Sequence, residues 1–328
     1  MKSCRADIGA GGGRADRPVG LRLLDLAERL RAGLFPARFS VWTPYLYLLP
    51  ATLITGILAI GLVEMAETSL HVLNRATFRL DPAYTTANYT AVFAKPVYLH
   101  IMLKTGLAAL LVTGFTLLLA FPYAYHLVRT PHHRLRRFLL IALFLPFLLG
   151  QVIRAYGWLI VLGKQGLLNA ALELIGLGPV SLIYTYSGVV LGLVQYMLPF
   201  AVLLLAPALT AIPHEVELAS HSLGATPWRT FRHIVLPLAR PGLVAAGVVV
   251  FTLTVTDFAM PEIMGGGAND FIANAIYDAF FQLSDAGMGA ALGIVLTVFA
   301  SLIVAVAFLL VGVAALGHGA QQKPRVRP

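Results

Sequence analysis

The stretch EVELASHSLGATPWRTFRHIVLPLARPGL, Glu215 to Leu243, is polar and amphipathic, yet the chain on either side of it runs for long spans almost without charge. Its punctuation predicts two short helices with a corner between them. Glu215 to Leu223 suits a helix, and Gly224 can take the positive φ that stops one. Thr226 then stands as an N-cap with Pro227 at the first helical position. Beyond it Trp228, Phe231 and Val235 fall at i, i+3 and i+7 on one face, with Arg229, Arg232 and His233 elsewhere around the helix. Leu236-Pro237 is expected to end that helix, and Arg240-Pro241-Gly242 to turn the chain back. A knob with an apolar stripe can dock into a groove on a partner. The competing reading is an amphipathic helix resting on lipid headgroups, anchored by Trp and Arg.

Composition says where the flanking runs belong. Of 328 residues, 58% are hydrophobic and 12% charged, against about 25% charged in a soluble domain. The net charge of +9 raises nucleic acid as a partner. The basic residues lie between apolar spans and form no basic domain, which argues against it. Cys4 is the only cysteine, so no disulfide can form within the chain. A crossing helix needs about 20 apolar residues, and six segments qualify: Pro44–Met65, Ile101–Leu127, Phe138–Gly163, Gly188–Ile212, Gly242–Met264 and Gly289–Gly317. With the N-terminus inside, eighteen Lys and Arg fall on the cytoplasmic side and four outside. That bias predicts a multi-pass membrane protein with both termini and the insert in the cytoplasm. The expected organisation is a cytoplasmic tail with an interfacial helix over 1–40, one six-span domain over 41–317 whose insert is 213–241, and a cytoplasmic tail over 318–328. No cleavable signal is seen at the N-terminus.

The insert resembles the conserved cytoplasmic loop of the membrane permeases of ATP-binding-cassette importers. That loop reads Glu-Ala-Ala, three residues, Gly, nine residues, Ile, one residue, Leu-Pro. Here Gly224 is followed by Ala225 to His233 and then by Ile234, Val235, Leu236 and Pro237. The front departs from the pattern, with Leu218-Ala219-Ser220 in the Glu-Ala-Ala places and Glu217 one position early. The resemblance implies the type I importer permease fold: all-α, six transmembrane helices, and a coupling helix that inserts into a cleft on an ATPase subunit. It makes Glu217, Ala219, Gly224, Ala225, Trp228, Phe231, Ile234, Leu236 and Pro237 the candidate coupling residues. The implied partners are a second permease subunit, an ATPase dimer carrying ATP and Mg, an extracytoplasmic solute-binding protein and membrane lipid. The chain has no phosphate loop of its own, so no cofactor is expected on it, nor any catalytic or metal site.

RAYGWLIVLGKQGLLN (154–169), YMLPFAVLLL (196–205) and TDFAMPEIMGGG (256–267) resemble the spermidine/putrescine-type permeases, with Gly157 where that group has Ala. Wider relatives carry opines, phosphonates, ferric iron or thiamine. Ionisable residues inside spans are functional candidates, and a linear polycation suits carboxylates and aromatic faces. Asp257, Glu262, Tyr156 and Trp158 are the candidates for the path. Arg154 joins them either as partner to an acid or as a sign of an anionic cargo. For Asp257 the competing role is to hold a backbone break, and for the aromatics it is an interfacial belt. The outer loop from Gly265 to Met288 holds Asp270, Asp278 and Asp285 with no Lys or Arg, a receiving face for cargo or binding protein, or else a solvated loop. A stand-alone transporter, a membrane enzyme and a structural subunit are the remaining alternatives.

Overall fold

The computed structural model describes residues 43–319. The N-terminal stretch 1–40, with its expected interfacial helix and Cys4, and the end of the C-terminal tail lie outside the described residues. The chain divides into two compact units, residues 1–64 and 65–328. Of the first unit the described part is helical, the beginning of α1 (Thr43–Ser69).

In the second unit α1 ends at Ser69. A two-residue hairpin follows, β1 (Leu73–Asn74) and β2 (Arg79–Leu80), antiparallel with Leu73 opposite Leu80. It is a small addition to an otherwise helical chain. Asn88 on α2 (Ala87–Ala94) donates to the carbonyls of Ser69 and His71, both at 2.9 Å, and so fixes the hairpin to the end of α1. Next comes α3 (Pro96–Arg129). Its 34 residues reach about 51 Å at 1.5 Å per residue, more than a hydrocarbon core of about 30 Å requires.

Then come α4 (His133–Phe144), α5 (Gln151–Leu162), α6 (Leu167–Leu174) and α7 (Tyr186–Thr210). The insert is α8 (His214–Ser222) and α9 (Pro227–Leu238); beyond it α10 (Arg240–Val255) and α11 (Ala259–Gly265) continue the chain. Finally α12 (Ile272–Tyr277) runs into a π-turn at Asp278–Gln282, and α13 (Ala286–Gly319) closes the fold.

The core lies where α3, α7 and α10 pack on one another. Ala108, Val112 and Ala120 of α3 meet Leu193, Met197, Ala201 and Leu205 of α7 and Ala246 and Val250 of α10, all fully buried. Small residues suit this position, because helices in lipid associate by close backbone approach rather than by a hydrophobic force. At Gly242 a Cβ would overlap Ala208, so only glycine lets α10 cross α7 there.

Six spans were expected. Among the described residues four helices are long and apolar enough to cross a membrane as they stand, α1, α3, α7 and α13, and a fifth results if α9 and α10, bent by 68°, count as one. The third expected span is α4 and α5, two helices of twelve residues each, about 18 Å apiece. They are separated at 145–150, where Pro146 and Gly150 interrupt the hydrogen-bond ladder. The fifth expected span is α10 and α11, with the break at Thr256 to Phe258. Non-helical backbone is tolerated at such depth only where protein groups satisfy it, and both breaks are so satisfied.

Candidate coupling site and transport path

The corner of the insert forms as its punctuation predicts. Gly224 has φ of +82°. Its N–H reaches the carbonyl of His221 at 2.9 Å, and the Ala225 N–H that of Ser220 at 3.1 Å, the paired bonds of a Schellman turn. Thr226 caps α9, its hydroxyl accepting from the Arg229 N–H at 3.4 Å, with Pro227 in the first turn. Buried Ser220 and Thr230 share a hydrogen bond of 2.8 Å that ties α8 to α9.

Within α9 the residues Phe231–Val235 form a π-turn, with the Leu236 N–H bonded to the carbonyl of Phe231. It stands directly before Pro237, which has no N–H to give the preceding turn. The helix was expected to stop at Leu236-Pro237. Instead the wider turn absorbs the proline and the helix runs on to Leu238.

The candidate coupling residues divide into two faces. Outward lie Ala219, Gly224 and Trp228, the last 68% exposed, with Arg229 and Arg232 alongside. Leu218 and the 89% exposed Leu223 share this exposure and were not picked out from sequence. Ala225, Ile234, Leu236 and Pro237 are half-buried. Phe231 turns inward. Its ring meets the edge of Phe121 at 5.3 Å and of Tyr125 at 6.5 Å, and stacks under Trp228 at 5.4 Å.

Glu217 is 3% exposed and faces the chain's own α3. Its carboxylate accepts from the Tyr125 hydroxyl at 2.7 Å and is paired with Arg129. The same Arg129 nitrogen donates to the Ile212 carbonyl at 2.9 Å. Sequence reasoning missed Arg129 and Tyr125; the available signal was a basic span end and an acid in the next polar loop, with nothing to pair them.

The transport-path candidates also separate. Arg154 is buried and does not pair with an acid: its donors go to the carbonyls of Pro146, at 2.8 and 3.1 Å, Phe147 at 3.1 Å and Leu149 at 2.8 Å. Its guanidinium lies 4.7 Å from the centroid of the Tyr196 ring. It therefore satisfies the break between α4 and α5. Asp257 does the same for the break before α11, accepting from the Met260 N–H at 2.9 Å, while its other oxygen accepts from Gln151 on α5. The two breaks are thus stitched together. Trp158 donates to Gln195 at 3.3 Å and lines a groove of about 490 Å³ with Tyr123, Pro146 and Leu198. Tyr156 is 57% exposed on α5.

Glu262 belongs to a different neighbourhood. It accepts from Asn274 at 2.7 Å. Near it the rings of Phe258, Tyr277 and Phe281 follow one another at 4.9 Å spacings. Asp278 feels the Glu262 charge, and Asp270 feels both. Burial first, then those neighbouring carboxylates, hold Asp270 and Asp278 above the ordinary carboxylate value; Lys104 opposes this at Asp270 and a hydrogen bond from Gln282 at Asp278. Lys104 Nζ donates to the Ala268 carbonyl at 2.8 Å. The cluster is a set of acids against an aromatic wall, suited to a cation.

Comparison with known proteins places this arrangement. Residues 115–317 match the family model described as binding-protein-dependent transport system inner membrane component. The chain is 34% identical over 225 residues to the spermidine/putrescine transport system permease protein PotB of Escherichia coli (strain K12), covering 68% of this chain and 81% of that one. It is 32% identical over 265 residues to the inner membrane ABC transporter permease protein YdcU of the same organism, covering 76% and 84%. Its fold matches a chain of a bacterial ABC transporter involved in import of the acidic polysaccharide alginate, with a TM-score of 0.65 at 20% identity over 88% of this chain and 98% of that chain. The chain is a permease of the binding-protein-dependent transport system inner membrane component family.

Proposed function

We propose that this permease imports a small organic polycation of the putrescine or spermidine kind, received from an extracytoplasmic binding protein and driven by ATP hydrolysis on a separate ATPase dimer. A second permease subunit completes the path. The insert lies in the cytoplasm with both termini, as the placement of Lys and Arg favours. The observation that carries the coupling role is the outward face of the α8–α9 corner: Leu218, Leu223 and Trp228 stand exposed on a knob rigidly built from a Schellman turn, an N-cap and the Ser220–Thr230 bond. The likeness to PotB supports the cargo, and so does the acid and aromatic cluster about Glu262. Arg154 and Asp257 hold the broken spans that bound the path; Glu262, Asp270 and Asp278 supply its attraction for a cation.

ATP closure of the ATPase dimer moves the docked knobs, and the bundle changes access from one side to the other, which requires a differential contact between two states. The test is uptake of labelled putrescine and spermidine into proteoliposomes holding the whole complex and the binding protein. ATP-dependent uptake supports the reading. Cargo-stimulated ATPase activity with some other solute and none with polyamines discards the cargo and keeps the importer.

A further inference from the structure

We infer that Arg129 and Glu217 form the pin through which a movement of the insert reaches α3, a role that rests on the coupling function proposed above. The insert is joined covalently to α7 through Ile212-Pro213 and to α10 through the 68° bend. It has no such joint with α3, the third helix of the core. What ties α3 to the insert is a stripe on its last turns: Phe121 and Tyr125 against the Phe231 ring, Tyr125 on Glu217, and Arg129 on both Glu217 and the Ile212 carbonyl. Residues 121, 125 and 129 recur every four positions, so they line one face of the helix.

The pair is the one ion pair shown among the described residues, and it is sunk between helix and insert. A buried ion pair is a poor source of stability, because desolvation offsets its attraction, but removing one half leaves an uncompensated charge. Its contribution is geometric. α3 must follow α8, or the pair must open where water is scarce. Arg129 has a spare donor for a second arrangement, since its Nε is buried without a partner. A carboxylate held by one guanidinium nitrogen and a hydroxyl can shift to engage Nε as well, which gives the contact two hydrogen-bonded settings. The aromatic contacts cannot switch in this way; they guide the motion, and the ion pair sets its ends. Arg129 and Glu217 are positioning residues: they touch neither cargo nor ATP.

The experiment compares wild type with Glu217→Gln, Arg129→Lys and the charge-exchanged Arg129→Glu/Glu217→Arg double variant in the reconstituted complex. Cargo taken up per ATP hydrolysed is measured alongside the amount of assembled complex. A pin predicts a fall in that ratio of about tenfold for each single variant, within the usual span of coupling energies, with partial recovery in the double variant. Equal ratios in all four proteins overturn it. So does a loss of assembly alone, with the ratio unchanged in the complex that remains. Trp228→Ala, on the docking face, separates the two claims. If it still binds and stimulates the ATPase like wild type, the coupling role itself fails; if it uncouples while the pin variants do not, only the pin fails.

Discussion

Arg154 and Asp257 are ionisable side chains within apolar stretches of the chain, and both are engaged with backbone at a helix break. Removing the Arg154 side chain leaves the carbonyls of Pro146, Phe147 and Leu149 short of a donor, at up to about 1–3 kcal/mol for each group that water does not reach. Arg154→Met should therefore lower the thermal midpoint of the purified complex more than any substitution on the exposed face of α5, such as Tyr156→Ala. At Asp257 the cap matters more than the charge. Asp257→Asn keeps an oxygen for the Met260 N–H and should stay close to wild type in stability, whereas Asp257→Ala should cost about 1 kcal/mol or somewhat more, as cap losses do. Thermal unfolding of the two variants side by side decides this; equal losses would contradict the cap. That these residues mark breaks was half legible. Their presence inside apolar runs is plain in the sequence, but their partners are carbonyls, which every residue has, so no side-chain pattern announces them. Glu217 illustrates the opposite difficulty: its partner is a specific side chain, Arg129, but 88 positions away.

At the scale of elements, the α8–α9 corner was the most legible part of the chain. Gly224, Thr226 and Pro227 each have one favoured place in such a turn, and the structure puts all three there. Gly224→Ala must hold φ near +82° with a Cβ, a cost of about 1–2 kcal/mol. It should loosen the corner without touching the core, seen as faster hydrogen exchange confined to α8 and α9. Trp228→Ala, by contrast, removes an exposed ring and should leave unfolding of the bundle unchanged while weakening capture of the ATPase about tenfold, as loss of an interface aromatic does. The end of α9 was misread because a proline usually stops a helix, and the π-turn at Phe231–Val235 that accommodates it leaves no trace in composition. The breaks inside the expected spans were hidden for a related reason. Hydropathy averaged over a window reports apolarity, and Phe138–Gly163 is as apolar as an unbroken helix would be.

For the whole molecule, the proposed orientation sorts charge by side. Basic residues flank the spans where the insert lies, and acids gather about Glu262 near the outer ends of the spans in the proposed orientation. Asp270 and Asp278 titrate above their ordinary value because burial and neighbouring carboxylates disfavour their charged forms. A bound polycation favours the charged forms, so binding releases protons and the apparent KM for cargo should rise as pH falls into the raised range of these carboxylates. Asp270→Asn with Asp278→Asn should raise KM at neutral pH and flatten that dependence, checked by uptake at several pH values. The family was legible at this scale through the motif it resembles, Gly224 with Ile234 to Pro237. The count of spans was less so: six were expected, and four or five stand among the described residues.

The central claim is that the outward corner of the insert couples ATP hydrolysis on another chain to passage through this one. It is tested most directly by reconstituting the full transporter with Gly224→Asp beside wild type, and measuring polyamine uptake and ATPase activity in the same vesicles. The account predicts that wild type shows uptake with cargo-stimulated hydrolysis and that the variant, with its corner distorted, loses both the uptake and the stimulation. Undiminished uptake and stimulation in a variant shown to be assembled would contradict it.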